Sequence, residues 1–190
     1  MGANKSIVLP ADQVEQICHE TGFTPKQLQR LYVRFQELEK RTPATGFLTR
    51  EDLLRIREVA LNPLGERLVD IIIQDHGNNN RIDFQQFAMV LARFRRGKAT
   101  TSLNTKDAKL LFLFSMYDRN HDEKIDRNEL KEILKLMVGG NIHDEQIATI
   151  ADHTIEELDA DGDLTITFDE FCKTLSNIDV DEKMSMKFLN

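Results

Sequence analysis

The chain has 190 residues, 41% of them hydrophobic, and a formal net charge of −7. That acidity argues against general nucleic-acid affinity, which needs cations for the phosphates, and no apolar run is long enough to span a bilayer. Two cysteines, Cys18 and Cys172, without metal-ligand spacing suit a reducing cytosol and no disulfide framework.

The N-terminus, Met1-Gly2-Ala3-Asn4-Lys5-Ser6, fits the N-myristoylation pattern, with Gly2 as acceptor. It lacks the charged-then-apolar stretch and cleavage site of a secretory leader. A single acyl chain holds a membrane only marginally. Residues 1–22 therefore read as a lipidated arm followed by a helix. Leu28, Leu31 and Phe35 recur at i, i+3, i+7 and predict the next helix. Asn62-Pro63 reads as a helix start ahead of Leu64, Leu68, Ile71 and Ile72, and Phe87, Val90, Leu91 and Phe94 mark a further helix. Together residues 23–94 predict an N-terminal lobe. Arg95 and the polar, basic residues after it, 95–105, read as a linker. Arg93, Arg95, Arg96 and Lys98 there suit either an anionic lipid surface or plain solvent.

The second half, residues 106–177, carries the chemistry. Residues 118–129 read D-R-N-H-D-E-K-I-D-R-N-E, and residues 159–170 read D-A-D-G-D-L-T-I-T-F-D-E. A hard cation such as Ca²⁺ takes six to eight oxygens, and the EF-hand loop supplies them from positions 1, 3, 5, 7 (by its carbonyl), 9 and 12. Those positions are Asp118, Asn120, Asp122, Lys124, Asp126 and Glu129, then Asp159, Asp161, Asp163, Thr165 (with Thr167 at position 9) and Glu170. Ile125 and Ile166 hold position 8, where paired loops form a short β-bridge. Position 6 calls for glycine because φ is positive there, yet it holds Glu123 and Leu164, at a cost of about 1 kcal/mol each. That is under tenfold in affinity, so both loops are expected to bind Ca²⁺. Two ions bring the net charge to about −3, still complementary to a basic partner segment.

Such hands come in pairs, and two worn copies stand upstream. Residues 75–86 keep Asp75, Asn79, Ile82 and Asp83, but have Gly77 at position 3 and neutral Gln86 at position 12. Residues 46–52 match positions 6 to 12 with Leu48 at the bridge. The segment before them is two residues too long and places Lys40, Arg41 and Pro43 where ligands belong. These two loops are expected to keep the fold and lose the metal. Bridge residues 48, 82, 125 and 166 lie 34, 43 and 41 apart, near one helix-loop-helix unit each. The fold class is all-α: four such units in two lobes, with short β-bridges between loops.

The helix at residues 109–117 is apolar around nearly its whole circumference, so it is buried on every side. Leu110, Phe114 and Tyr117 face their own lobe. Leu111, Phe112, Leu113 and Met116, with Leu134 and Met137 on the exit helix, either floor a groove for a partner's amphipathic helix or pack against the other lobe; they are the candidate groove residues. Catalysis is not expected, since His19, His76, His121, His143 and His153 are scattered with no nucleophile or metal pair. Met184, Met186, Phe188 and Leu189 in the tail, residues 178–190, alternate with polar residues and are expected to fold over the groove when no partner is present.

Gly2 with Ser6, residues 20–23, Leu31-Tyr32 with Arg34-Phe35, residues 48–52, 62–65, Tyr117-Asp118, residues 122–125, 137–139, 150–152, 161–163 and the ending Lys183-Met184-Ser185 together resemble the calcineurin B homologous protein family. Calcineurin B, the regulatory partner of the phosphatase's catalytic chain, is its near relative. The resemblance implies a myristoylated, cytoplasmic adaptor, peripheral at the plasma membrane, with two Ca²⁺ in the C-terminal lobe. It implies a groove for the cytoplasmic-tail helix of a Na⁺/H⁺ exchanger, supporting exchanger activity and pH regulation. The alternative is a calcineurin-type phosphatase regulatory subunit or inhibitor, and a simple Ca²⁺ buffer is a third reading. Residues 130–138 resemble the family's nuclear-export segment, implying nucleocytoplasmic shuttling. The family's longer, acidic, Pro-containing linker is not matched by the short basic one here.

Overall fold

The computed structural model of the chain describes residues 9–39, 41, 43–95 and 101–179. The expected myristoyl acceptor Gly2, linker residues 96–100 and the tail from residue 180 onward lie outside them. Among the described residues are ten α-helices and two two-stranded antiparallel ribbons, an all-α architecture.

Helix α1 (Ala11–Thr21) ends at Gly22, whose φ of 68° is the left-handed cap that glycine takes without strain. α2 (Pro25–Leu38) starts from Thr24, which exchanges hydrogen bonds with Gln27 in a capping box, with proline at the first helical position. β1 (Leu48–Thr49) leads into α3 (Arg50–Leu54) and the single turn α4 (Arg57–Ala60). The helix expected from Asn62-Pro63 onward is α5 (Gly65–His76). Gly65 is required there, because a Cβ would lie 2.1 Å from the carbonyl oxygen of Val59. β2 (Arg81–Ile82) and α6 (Phe84–Arg93) complete the first half. The second half comprises α7 (Lys106–Tyr117), β3 (Lys124–Ile125), α8 (Arg127–Val138), α9 (Asp144–Leu158), β4 (Ile166–Thr167) and α10 (Phe168–Thr174).

Leu48 faces Ile82 and Ile125 faces Ile166 across the two ribbons, the pairing that the position-8 residues predict. All four are buried. The first apolar core gathers Leu28, Leu31, Phe35, Ile71, Ile72, Phe87, Val90, Leu91 and Phe94, and the second Leu110, Phe114, Leu130, Ile155 and Phe171.

Helix α7 belongs to both. Leu110 and Phe114 enter the second core, while Phe112 and Met116 enter the first. Phe112, 4% exposed, meets Phe94 edge-on with ring centroids 5.1 Å apart, and the Arg93 guanidinium covers its ring. Of the two possibilities for this helix, inter-lobe packing therefore holds for Phe112 and Met116, and their assignment to an open groove is corrected. Leu113 and Leu134 are half-buried against the second core. Leu111 and Met137 remain on the surface, 55% and 51% exposed. A second correction concerns the basic linker. Arg95 donates to the carbonyl of Thr21 and stacks over Phe23, and Arg93 is engaged on Phe112. Both are committed to protein contacts rather than held out for lipid.

Candidate calcium loops and the link between lobes

Each of the four loops ends in the same device. The residue at position 9 caps the exit helix, and the residue at position 12 closes a reciprocal capping box with it. The pairs are Thr49 with Asp52, Asp83 with Gln86, Asp126 with Glu129, and Thr167 with Glu170. A capping box needs only an oxygen acceptor at its third helical position. Gln86 can therefore hold the helix although it cannot offer a bidentate carboxylate. Position 12 thus serves two roles, of which the loop pattern signals only the ligand.

In the loop at residues 118–129, Asp118 is buried and its two oxygens accept from the amides of His121 (2.7 Å) and Glu123 (3.1 Å). Glu129, also buried, accepts from Arg119 and Asn120 on one oxygen and from Asp126 on the other. Asp122 accepts from the Asn120 amide group (2.9 Å) and the Lys124 backbone (3.0 Å). In the loop at residues 159–170, Asp159 accepts from Gly162 and Leu164, Asp161 from Asp163, and Glu170 from Ala160 and Thr167. Position 6 is left-handed in both, with φ of 66° at Glu123 and at Leu164. The Leu164 side chain points outward, 72% exposed.

One oxygen each from Asp159, Asp161 and Glu170 lie within 4.8 Å of one another. Three carboxylates so close repel unless a cation joins them, so this donor set fits Ca²⁺. The amides that hold Glu170 lower its carboxyl below the usual range, Thr167 contributing most. Asp163 is pulled down to about 2, chiefly by the Lys124 ammonium at 2.5 Å and by the Thr165 hydroxyl. Position 7 calls for the carbonyl of Lys124. Its side chain adds an ion pair from one loop to the other.

A second feature had no signal in the sequence. Arg67, on α5, donates to the backbone carbonyls of Ser115 (2.6 Å), Met116 (3.1 Å) and Asp118 (2.8 Å). The last carbonyls of a helix have no intrahelical partner and carry the negative end of its dipole, so a guanidinium there is doubly matched. Burial and the nearby Arg119 oppose its charge, and the three carbonyls compensate. Lys109, buried on α7, likewise reaches the carbonyl of Arg95 (3.2 Å). Neither residue interrupts a periodicity, which is why neither stood out.

Paired helix-loop-helix units with zipped loops and carboxylate cages define an EF-hand protein. The family described as an EF-hand domain pair matches residues 107–176. Over the whole length the chain is similar to the calcineurin B protein of Naegleria gruberi, 38% identical over 187 residues covering 98% of this chain and 99% of that one. It is also similar to the type 1 calcineurin B protein of Dictyostelium discoideum, 39% identical over 97% of this chain and 98% of that one. A third relative, the calcineurin B protein of Yarrowia lipolytica, is 37% identical over 92% and 95%. The chain belongs to the calcineurin B-like family of EF-hand proteins. It is a calcium-binding regulatory protein and not an enzyme.

Proposed function

We propose that this chain is the regulatory subunit of a calcineurin-type phosphatase, binding two Ca²⁺ in the loops at residues 118–129 and 159–170 and an amphipathic helix of the catalytic subunit. The observation that carries this reading is the near end-to-end similarity to proteins named as calcineurin's B chain. It draws the partner away from the exchanger tail that the calcineurin B homologous protein resemblance implies. The surface supports helix binding: Leu111, Leu136 and Met137 are apolar side chains that stand exposed. Gly2 carries the myristoyl group in this reading, placing the protein at a membrane face of the cytoplasm.

The test is anisotropy titration of the full chain against labelled helices from a calcineurin-type catalytic subunit and from an exchanger tail, with Ca²⁺ and with chelator. The phosphatase helix is expected to bind at least ten times more tightly. Preference for the exchanger helix overturns the assignment. Mass spectrometry of the protein co-expressed with a myristoyltransferase checks Gly2.

A further inference from the structure

The first loop, residues 39–52, is two residues longer than its calcium-binding counterparts, and the extra length brings a side chain into its centre. Glu39 stands in position 1: it accepts from the amides of Thr45 and Gly46 (3.1 Å to the latter), as Asp118 accepts from Glu123 and Asp159 from Leu164. Asp52 stands in position 12: its Oδ2 accepts from the amide of Thr49 at 2.9 Å, as Glu129 and Glu170 accept from Asp126 and Thr167. Phe47 supplies the carbonyl of position 7, one residue after Gly46, whose φ is 78°.

Arg41 closes the set. One of its terminal nitrogens, Nη2, lies 3.0 Å from Asp52 Oδ2 and 3.8 Å from Glu39 Oε1, and it donates to the carbonyl oxygen of Phe47. Positions 1, 7 and 12 of a hand are among those that converge on Ca²⁺. Here they converge on a guanidinium. The carboxylates of Glu39 and Asp52 are 3% and 4% exposed, and buried charges of one sign require a counter-charge. Arg55 also reaches Asp52, at 3.2 Å on its other oxygen and from a more exposed position.

We propose that Arg41 is a tethered cation that fills the first hand in place of a metal ion. The N-terminal lobe then keeps the closed loop and the Leu48–Ile82 pairing without calcium, and metal dependence is confined to the second half of the chain. This goes beyond the phosphatase assignment and stands whichever partner the protein has.

Hydrogen exchange on the full chain tests it. In wild type, the amides of Leu48 and Ile82 are expected to exchange at the same rate in Ca²⁺ and in chelator. In Arg41→Met, which keeps the stem and removes the charge, exchange at both is expected to rise about tenfold or more in chelator. Arg41→Lys, with a cation on a shorter reach, is expected to restore part of the protection. Wild-type exchange rates in Arg41→Met overturn the proposal, as does loss of Leu48 protection when wild type is chelated. Should Arg41→Met not fold, Glu39→Gln/Arg41→Met/Asp52→Asn carries the test. With no charge left to neutralise, it is expected to fold and recover protection, and failure to recover overturns the proposal.

Discussion

Arg67 Nη2 donates to the backbone carbonyl of Asp118 at 2.8 Å, so a side chain of the first lobe holds the residue that opens the third loop. The same guanidinium bonds Ser115 and Met116. These three bonds tie the end of α7 to α5.

Replacing Arg67 by Met removes all three bonds while keeping much of the stem. Loss of charged hydrogen bonds to part-buried carbonyls is expected to cost roughly 2–4 kcal/mol. Urea unfolding followed by lobe-specific probes should turn from a single transition into two. A single transition at the wild-type midpoint would show that the seam does not depend on Arg67.

Phe112 and Leu111 are neighbours with opposite fates. Phe112→Ala empties a site walled by Phe94 and Arg93 and is expected to cost about 3–5 kcal/mol. Leu111→Ala, at an exposed position, is expected to change stability by about 0.5 kcal/mol or less yet weaken helix binding severalfold. Thermal melts and anisotropy titrations on the two variants separate the roles.

The sequence carried the frame well. The bridge residues 48, 82, 125 and 166, the positive φ at Glu123 and Leu164 and the apolar stripes of α2 and α6 all follow from spacing, since loop geometry and helix period are local properties. The burial of α7 was legible too, but not what buries it. Periodicity reports how much of a helix must leave water, and on a helix apolar all round it cannot tell lobe from partner. The roles of Arg41, Arg67 and Lys109 were hidden for a related reason. A cation that bonds backbone carbonyls leaves no pattern, because every residue offers the same acceptor.

Glu129→Gln and Glu170→Gln each leave one carbonyl oxygen where two carboxylate oxygens accept amide bonds at present. Each is expected to weaken calcium binding at its own loop by about 10- to 100-fold, read by calorimetry. The first core should barely respond, and its near-ultraviolet signal should match wild type in chelator.

The Lys124–Asp163 pair gives a dependence on acidity with a defined sign. Asp163 sits at about 2 in the folded chain, below its ordinary 3.8. Its contribution is fully present above that ordinary value and disappears as pH falls through about 2. In chelator, Lys124→Met is therefore expected to be less stable than wild type at neutral pH, with the gap closing toward pH 2. Because the pair is exposed, added salt should narrow the gap as well. A gap that persists at the acid end would assign the loss to the lysine stem instead.

The hydrophobic pair Leu48–Ile82 joins the two loops that depart from the ligand pattern, and its twin Ile125–Ile166 joins the two that match it. Handshakes of this kind make each loop the template for its neighbour. A first ion settling on one side pre-shapes the other, so occupancy should climb steeply rather than in two separate steps. On the other side the same grip holds the first two loops together through Leu48 and Ile82.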